Sequence, residues 1–314
     1  MNARRLGHSD LYSSQLAYGC MRIAQGWEPG RVTAEHRAAG RRAVIAAYEA
    51  GYTLFDHADI YCGGVCEEIF GEALAQVGGM REQVRIMTKC GIRLAGDPDA
   101  NAPYRYDASA AHIEAACERS LRRLGVEVID LFLLHRPDPL MDPTEVASVF
   151  ERLRRAGKVR QFGVSNFSPS QVSALQRALA GPLVVNQVEI HLGELRRLED
   201  GTLDQCFESG ITPMAWGPLG GGWWGEGGRV PEAHPRREAM VALQRLLDAM
   251  ARGYGVDRTL LALAWLLRHP ARIVPVVGST NPARIAAATR AETVELSRED
   301  WYRLFSAARA TALP

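Results

Sequence analysis

Short apolar runs alternate with helix-like segments along the chain, and this alternation constrains the fold more than any other feature. One run, residues 128–134, is apolar at almost every position, as expected for a strand that is covered on both faces. The runs that we interpret as strands cover residues 14–19, 53–55, 84–88, 128–134, 161–164, 183–185, 211–215 and 273–276. Strands separated by helices predict a parallel sheet.

The segments between these runs carry helix-start signals. Ser109, Asp142, Ser168 and Asn281 are typical N-cap residues, and Pro follows the last three directly. Eight strand–helix units in 314 residues fit a closed α/β fold, the (β/α)8 TIM barrel, better than an open sheet. No change of composition marks a linker, so we expect one domain over residues 1–314.

Polar side chains follow almost every predicted strand. They are Asp56, Lys89, His135, Asn166, Gln187, Trp216 and Ser279. The carboxyl ends of parallel strands meet at one face of a barrel, and barrel enzymes have their active sites at that face. The sequence therefore predicts an active site there.

The stretch Thr53–Tyr61 places Asp56, His57, Asp59 and Tyr61 directly after an apolar strand. Asp56 and Tyr61 are five residues apart, so an irregular turn has to bring their side chains together. A strand followed by an acidic turn is the simpler interpretation of this stretch alone. The return of the same pattern after other strands favours a catalytic interpretation.

Lysine is rare in this chain: of 37 basic residues only Lys89 and Lys158 are lysines. Arginine replaces lysine on most solvated surfaces, but not where an ammonium group has to perturb a neighbour. Lys89 follows an apolar run, which suggests a chemical role. Lys158 lies in a Gly-Lys-Val turn, where a lysine without a chemical role can be retained by chance.

Charge and hydropathy exclude several classes of protein. The net charge of +1 gives no reason to expect nucleic acid or an anionic membrane as a partner, and no apolar run approaches the roughly 18 residues that cross a bilayer. The first residues lack the apolar core of a signal peptide, so we expect a cytoplasmic protein. The six cysteines lack the paired spacing of a metal site and are expected to be free thiols.

Residues 217–228, which we call the glycine-rich loop, read Gly-Pro-Leu-Gly-Gly-Gly-Trp-Trp-Gly-Glu-Gly-Gly. Part of the loop fits the G-x-G-x-x-G pattern of dinucleotide-binding folds. No helix start follows it, so we reject that interpretation. We predict a flexible loop that closes over a ligand, with Trp223 and Trp224 available to stack on it.

The segment Ser279–Arg284 joins the last predicted strand to a helix. Backbone N–H groups at a helix start, together with Arg284, suit a phosphate, and barrels often bind phosphate after their seventh and eighth strands. An ordinary N-cap by Asn281 explains the segment equally well.

Together, the motifs D-x-A-x-x-Y, I-M-T-K and L-L-H-x-P resemble those of the aldo-keto reductase superfamily, NAD(P)H-dependent carbonyl reductases built on a (β/α)8 barrel. The resemblance covers almost the full length and points to a bacterial member. It implies a catalytic tetrad of Asp56, Tyr61, Lys89 and His135. It also implies cofactor contacts at Ser165, Asn166, Gln187, Trp216, Gly217, Leu219, Gly278, Ser279, Thr280 and Arg284.

The resemblance implies that NADPH gives a hydride to an aldehyde or ketone while Tyr61 gives a proton to the carbonyl oxygen. A free tyrosine has a pKa of about 10, too high for an efficient acid at neutral pH. Lys89, held by Asp56, is expected to lower that pKa, and His135 to orient the carbonyl oxygen. NADP(H) is the implied cofactor, with NAD(H) the second choice, because Ser279 and Arg284 align with the family's 2′-phosphate site.

Several positions depart from the family pattern. His57 stands where Thr or Ser is common. Its imidazole either takes part in proton transfer with the acid–base groups or only packs against neighbouring side chains. Arg136 stands where many members have Trp, and it either favours polar or anionic carbonyl substrates or turns outward to pair with Asp138. Ala287 and Ala288 replace a Glu and an Asn near the adenine, which weakens the expected grip on the cofactor.

Two other functions, a Schiff-base enzyme and a regulatory subunit, are compatible with a barrel of this kind. Lys89 could form a Schiff base, as in an aldolase, although the tetrad spacing argues against it. A regulatory subunit that binds NADPH with little turnover is the other, and the intact tetrad disfavours it. The expected partner in each case is a small molecule. The pocket for a carbonyl substrate is expected to be formed by Arg136 and by residues 21–27, 91–107 and 223–234, including Met21, Trp27 and Trp223.

Overall fold

In the computed structural model of the chain, which describes residues 1–309, eight parallel strands close into a barrel. Neighbouring strands around the barrel follow one another along the chain, and this confirms the predicted (β/α)8 TIM barrel. Residues 310–314, the end of the domain predicted over residues 1–314, lie outside the described residues. The barrel strands are β3 (Ala17–Gly19), β4 (Leu54–Asp56), β5 (Arg85–Cys90), β8 (Ile129–Leu134), β9 (Val159–Ser165), β10 (Leu183–Glu189), β11 (Thr212–Trp216) and β12 (Val274–Val277).

Two antiparallel pairs of strands lie outside the barrel. The first pair, β1 (Ala3–Arg5) and β2 (Tyr12–Ser14), precedes the first barrel strand. The barrel strand predicted from residue 14 therefore begins only at residue 17, because Ser14 pairs in this hairpin. The second pair, β6 (Ile92–Arg93) and β7 (Arg105–Tyr106), lies in the segment 91–107, where no strand was predicted because two-residue strands are too short to show a periodic pattern.

The helices begin where the capping residues predict. Ser109, Asp142, Ser168 and Asn281 each accept a backbone N–H of the first helical turn through the side chain, which confirms these four N-caps. No helix of residues 1–309 combines the length and the apolar character needed to cross a bilayer. The helices are α1 (Ala34–Glu49), α2 (Val65–Gln76), α3 (Met80–Gln83), α4 (Ala110–Leu124), α5 (Pro143–Arg155), α6 (Pro169–Ala178), α7 (Arg196–Glu199), α8 (Thr202–Glu208), α9 (Arg237–Gly253), α10 (Arg258–Leu267), α11 (Pro282–Ala288) and α12 (Arg298–Arg309).

Apolar side chains fill the barrel, so its interior is a packed core. The turn between β1 and β2 closes the amino-terminal end, where Leu6 and Leu11 are buried in this core. Gly7 in that turn has a φ of +50°, and a Cβ at this position would lie 2.7 Å from the carbonyl oxygen of Val184. Since one end of the barrel is closed by apolar groups, the polar side chains collect at the other end.

Several polar residues that were predicted to follow the strands lie within them instead. β10 runs to Glu189 rather than ending at residue 185, because Asn186 and Gln187 pair in register with β11. Lys89 likewise lies inside β5. Inward-facing polar side chains at the mouth of a barrel interrupt the apolar pattern without ending the strand, so the pattern alone predicted the strands too short.

Candidate active site

A cleft of about 1050 Å³ opens at the carboxyl ends of the barrel strands. The catalytic, cofactor-binding and substrate-binding residues predicted from the sequence line this cleft, except Lys89 and Trp224, whose side chains are fully buried. The predicted catalytic, cofactor-binding and substrate-binding residues therefore lie together at this cleft. Its lining includes Met21, Trp27, Asp56, Tyr61, His135, Arg136, Ser165, Asn166, Gln187, Trp216, Gly217, Leu219, Trp223, Gly278, Ser279, Thr280 and Arg284.

The segment after β4 turns sharply and brings Tyr61 next to β5. His57 and Asp59 donate backbone N–H bonds of 2.7 and 3.0 Å to carbonyl groups of β5, so the segment stays paired beyond the end of β4. The chain then reverses in a 3-10 turn that begins at Tyr61, where Cys62 has a positive φ of 48°. The irregular turn predicted between Asp56 and Tyr61 is confirmed.

The ammonium group of Lys89 lies at the centre of the site. Its Nζ donates to Asp56 Oδ1 at 2.5 Å, to the backbone oxygen of His57 at 2.6 Å and to Tyr61 Oη at 3.1 Å. An ammonium has three N–H donors, so each donor of this fully buried side chain has a partner. The group is thereby held between the Asp56 carboxylate and the Tyr61 hydroxyl.

Burial opposes the charge on both Lys89 and Tyr61. At Lys89, the effect of burial is outweighed by Asp56 and Tyr61, so the pKa of the ammonium is raised and the group is charged at neutral pH. At Tyr61, burial raises the pKa by more than Lys89 lowers it, so the phenol is protonated at neutral pH. Lys89 therefore lowers the pKa of Tyr61 as expected, but desolvation of the buried phenolate is the larger effect, and the net pKa is above its ordinary value.

His135 follows β8 and lies beside Tyr61, with ring centroids 5.9 Å apart and an interplanar angle of 80°. Burial, and then the charges of Lys89 and Arg136, hold the pKa of His135 well below its ordinary value. Its Nδ1 is buried and has no hydrogen-bond partner among residues 1–309. A neutral imidazole keeps one N–H donor that can orient an oxygen atom in the cleft.

A connected set of polar side chains holds the indole of Trp216 in place. Ser165 Oγ donates to the backbone oxygen of Gln187, and Asn166 Nδ2 donates to Ser165 Oγ, both at 2.8 Å. Trp216 Nε1 donates to Asn166 Oδ1 at 3.0 Å. Asn166 has a φ of 64°, a conformation that asparagine adopts more readily than most residues. The cleft therefore contains a fixed aromatic ring with amide groups beside it.

Residues 278–284 form another part of the cleft wall. Asn281 Oδ1 accepts the backbone N–H groups of Ala283 and Arg284 at 2.9 and 3.2 Å. This segment was interpreted either as a phosphate site or as an ordinary N-cap. The N-cap by Asn281 is present, and it occupies backbone N–H groups that a phosphate would need. The cation that lines the cleft here is the Arg284 side chain.

Aromatic and cationic side chains line the cleft next to Tyr61. Trp27 is 60% exposed, and its ring lies 6.3 Å from that of Tyr61 at an angle of 85°. The guanidinium of Arg136 lies over the ring of Trp216, 5.7 Å from its centroid. Asp138, which could have paired with Arg136, accepts two backbone N–H groups at 2.9 Å instead. Arg136 therefore faces the cleft.

The two tryptophans of the glycine-rich loop have different environments. Trp223 lines the cleft. Trp224 is 0% exposed, and its Nε1 donates to Nδ1 of His191 at 3.2 Å. The prediction that Trp224 is available to stack on a ligand is therefore wrong. A loop without periodicity gives no signal that separates two adjacent tryptophans.

Sequence reasoning missed Tyr104 and His191, which both line the cleft. Tyr104 lies in the segment 91–107, which was expected to shape the pocket, but no pattern distinguished it from its neighbours. His191 lies just beyond the end of β10. The alternation Gln187, Glu189, His191 is the signal that could have found it, since every second side chain of a strand points to the same face.

His57 is fully buried against Phe70, with ring centroids 4.6 Å apart. Neither ring nitrogen has a hydrogen-bond partner among residues 1–309. Burial, and then the charge of Lys89, lower the pKa of His57 to about 3. The imidazole is neutral and packed, which favours a packing role for His57 over coupling to the acid–base groups.

Replacing His57 with Gln should make the protein less sensitive to acid. The folded-state pKa of about 3 lies below the ordinary 6.5, so the stability gained from neutral His57 is complete above pH 6.5 and is lost as the pH falls towards 3. Between pH 7 and pH 4 this loss is about 3 kcal/mol in the wild type and absent from His57→Gln. Urea unfolding at the two pH values measures it.

The control for this prediction is His8→Gln, which removes an exposed histidine. This variant should lose as much stability between pH 7 and pH 4 as the wild type does. If His57→Gln also loses as much as the wild type, the pKa of His57 is not lowered in the folded state.

Comparisons with known proteins agree with this geometry. The model of the Aldo/keto reductase family matches residues 15–309. The chain is 42% identical to a 6-dehydroglucose reductase of Novosphingobium aromaticivorans, over 99% of this chain and 97% of the relative. It is 39% identical to a 6-dehydroglucose reductase of Agrobacterium fabrum, over 97% and 98%. The solved structure of a glycerol dehydrogenase from Gluconobacter oxydans superposes with a TM-score of 0.85 at 25% identity, over 99% of this chain and 97% of that one.

Proposed function

The chain belongs to the aldo/keto reductase family, and we propose that it reduces aldehyde or ketone groups to alcohols with NADPH as the hydride donor. The observation that carries this proposal is the buried cluster of Asp56, Lys89 and Tyr61 beside the neutral His135. The cofactor, when bound, supplies the hydride from its reduced nicotinamide. The protein has to supply a proton for the carbonyl oxygen and to hold the reactants in place.

Tyr61 is the proposed proton donor. Its phenol carries a proton at neutral pH, since its pKa is above the ordinary value of about 10, and Lys89 Nζ lies 3.1 Å from the hydroxyl oxygen. Negative charge develops on this oxygen as the proton leaves, and the fixed ammonium of Lys89 stabilises it. Asp56 positions the ammonium. His135 donates its N–H to the carbonyl oxygen and so orients it towards Tyr61.

The residues along the cleft suit a nicotinamide dinucleotide. The ring of Trp216, held by Asn166, offers a face for stacking, and the amide groups of Asn166 and Gln187 can bind a carboxamide. Arg284 supplies a cation for a phosphate group. We assign the remaining predicted contacts, Ser165, Gly217, Leu219, Gly278, Ser279 and Thr280, to the same cofactor, because they line the same cleft.

A Schiff-base mechanism at Lys89 fits the site poorly. A nucleophilic lysine has to be a neutral amine with a free lone pair. The pKa of Lys89 is raised, and its three N–H donors are engaged. We therefore keep carbonyl reduction as the proposed function.

A panel of aldehydes and ketones with NADPH and NADH tests this proposal, with the absorbance of the reduced nicotinamide as the readout. We expect NADPH to be consumed with at least one aldehyde, and faster than NADH. The panel should include 6-dehydroglucose, because two relatives are named for its reduction. NADPH binding without consumption on any member of the panel would favour the regulatory alternative instead.

Arg136 is proposed to favour polar or anionic carbonyl substrates, because it faces the cleft close to His135. Replacing Arg136 with Leu should lower kcat/KM for 4-carboxybenzaldehyde by about tenfold or more relative to its methyl ester, since a charge-assisted hydrogen bond is lost. The two substrates share the same carbonyl group. Steady-state kinetics with both measure the effect.

Arg22→Leu is the matched control for this prediction, because Arg22 also lines the cleft but is exposed to solvent. It should change the ratio of the two kcat/KM values much less than Arg136→Leu does. An unchanged ratio in Arg136→Leu would remove the proposed role of Arg136 in substrate choice.

Arg284→Ala should weaken the use of NADPH far more than the use of NADH. We expect the KM for NADPH to rise by about tenfold or more, because an arginine–phosphate contact is lost, and the KM for NADH to change by less than about threefold. The exposed Arg290, which lies in the 3-10 turn after α11 and does not line the cleft, provides the control variant Arg290→Ala. Equal rises in both KM values would remove the proposed 2′-phosphate contact of Arg284.

A further inference from the structure

We propose that His191 and Trp224 fasten the glycine-rich loop over the cleft before the cofactor binds, so that the loop does not have to close on it. The loop contributes much of the cleft wall, from Gly217 to Glu226. Seven of its twelve residues are glycines. Glycine loses more conformational freedom on ordering than any other residue, so an unfastened loop of this composition would weaken binding by the entropy it loses.

The fastening contact joins the loop to the neighbouring strand. Trp224 Nε1 donates to His191 Nδ1 at 3.2 Å, and the indole is 0% exposed. His191 lies just beyond the end of β10, and the loop begins just beyond the end of β11. The contact therefore ties the middle of the loop to the rigid rim of the barrel.

The orientation of the His191 ring is itself fixed from two sides. Its Nδ1 also accepts the backbone N–H of Gly193 at 2.9 Å, so two donors share this nitrogen and assign its lone pair. The proton of the neutral ring is then on Nε2, which lies 3.4 Å from Oε1 of Glu189. His191 thus presents its acceptor nitrogen to Trp224, and its Nε2 faces Glu189.

The space around the contact is built for these two rings. A Cβ at Gly220 would lie 2.8 Å from Nε1 of Trp224, and a Cβ at Gly193 would lie 3.1 Å from Cε1 of His191. Neither position can accept a side chain without moving a ring. The two glycines therefore let the loop and the strand end approach each other closely.

The second half of the loop is tied down separately. Gln244 Nε2 of α9 donates to the backbone oxygen of Trp223 at 2.6 Å, and Arg258 of α10 donates to the backbone oxygen of Gly228 at 3.1 Å. The backbone N–H of Glu226 donates to Thr259 Oγ1 at 2.8 Å. These contacts reach the loop from α9 and α10, whereas the His191–Trp224 contact joins it to the end of β10.

Amide hydrogen exchange of the protein without cofactor tests the fastening directly. We expect His191→Gln and Trp224→Phe to raise exchange in residues 217–228 about tenfold, since each loses the indole hydrogen bond. His191→Asn keeps an acceptor near the position of Nδ1 and should exchange as slowly as the wild type. Trp265→Phe is the matched control: it removes a buried indole hydrogen bond of 3.3 Å to Trp301, away from the cleft.

The same variants test the consequence for binding, which rests on the proposed use of NADPH. By calorimetry, we expect the dissociation constant of NADPH to rise about tenfold in His191→Gln and Trp224→Phe, and to stay near the wild-type value in His191→Asn and Trp265→Phe. Failure of the wild type to bind NADPH would overturn the proposed function, while the exchange result would still decide the fastening.

If residues 217–228 exchange as slowly in His191→Gln and Trp224→Phe as in the wild type, the contact does not fasten the loop. The same conclusion follows if these residues exchange equally fast in His191→Asn and His191→Gln. Faster exchange with unchanged NADPH affinity would overturn its role in binding.

Discussion

Replacing Tyr61 with Phe should lower the turnover number for carbonyl reduction by about a thousandfold, the loss typical of removing a general acid. The substitution deletes only the hydroxyl group that Lys89 contacts at 3.1 Å. The affinity for NADPH should stay within about twofold of the wild type, because the ring and its packing remain. Single-turnover kinetics and calorimetric titration with NADPH measure the two quantities.

The control for this variant is Tyr52→Phe. Tyr52 is also buried, and its hydroxyl donates to the backbone oxygen of Ile285 at 3.1 Å, among residues that pack outside the barrel. Both variants lose one buried hydrogen bond, so both should lose a similar small amount of stability, but only Tyr61→Phe should lose turnover. Turnover of Tyr61→Phe within a few-fold of the wild type would remove Tyr61 as the proton donor.

Replacing Lys89 with Met should abolish most of the turnover and also destabilise the protein by about 3–5 kcal/mol. The stability is lost because Asp56, which is 4% exposed, stays buried without the cation that offsets its desolvation, which alone raises the pKa of the carboxyl. Turnover is lost because no fixed charge is left to stabilise the phenolate of Tyr61. Urea unfolding and steady-state kinetics measure the two effects.

The double variant Asp56→Asn, Lys89→Met separates these two losses. It removes both charges, so it should recover most of the lost stability but none of the lost turnover. Lys158→Met, which removes the other lysine of the chain and its ion pair with Glu118 at the surface, is the control and should change stability far less than Lys89→Met does. Recovery of turnover in the double variant would contradict the role given to Lys89.

The sequence predicts the barrel and its active face because both depend on local patterns. Apolar runs specify the strands whatever the loops do, and the polar residues near their ends identify the mouth of the barrel. Asp56, Lys89 and His135 could be found in this way since each belongs to, or directly follows, a barrel strand. The role of Tyr61 as proton donor could be assigned only through the family resemblance, because an irregular turn brings this side chain back to Lys89.

What the sequence does not predict depends on contacts between distant segments. Trp224 is buried in an apolar cluster, and its N–H is accepted there by His191, which is 33 positions away in the chain. The sequence predicted that Lys89 lowers the pKa of Tyr61, but not that burial raises it by more, because the degree of burial is a property of the packed cluster and not of the motif. The N-cap at Asn281 was one of two equal interpretations, and only the geometry of its side chain distinguishes them.

The most direct test of the central proposal is isotope transfer from NADPH that carries two deuterium atoms at C4 of the nicotinamide. With an aldehyde from the panel, the wild-type protein should form an alcohol with one deuterium on the former carbonyl carbon, detected by mass spectrometry. Tyr61→Phe should form about a thousandfold less of it in the same time. An alcohol without deuterium, or no consumption of NADPH with any carbonyl compound of the panel, would contradict the account.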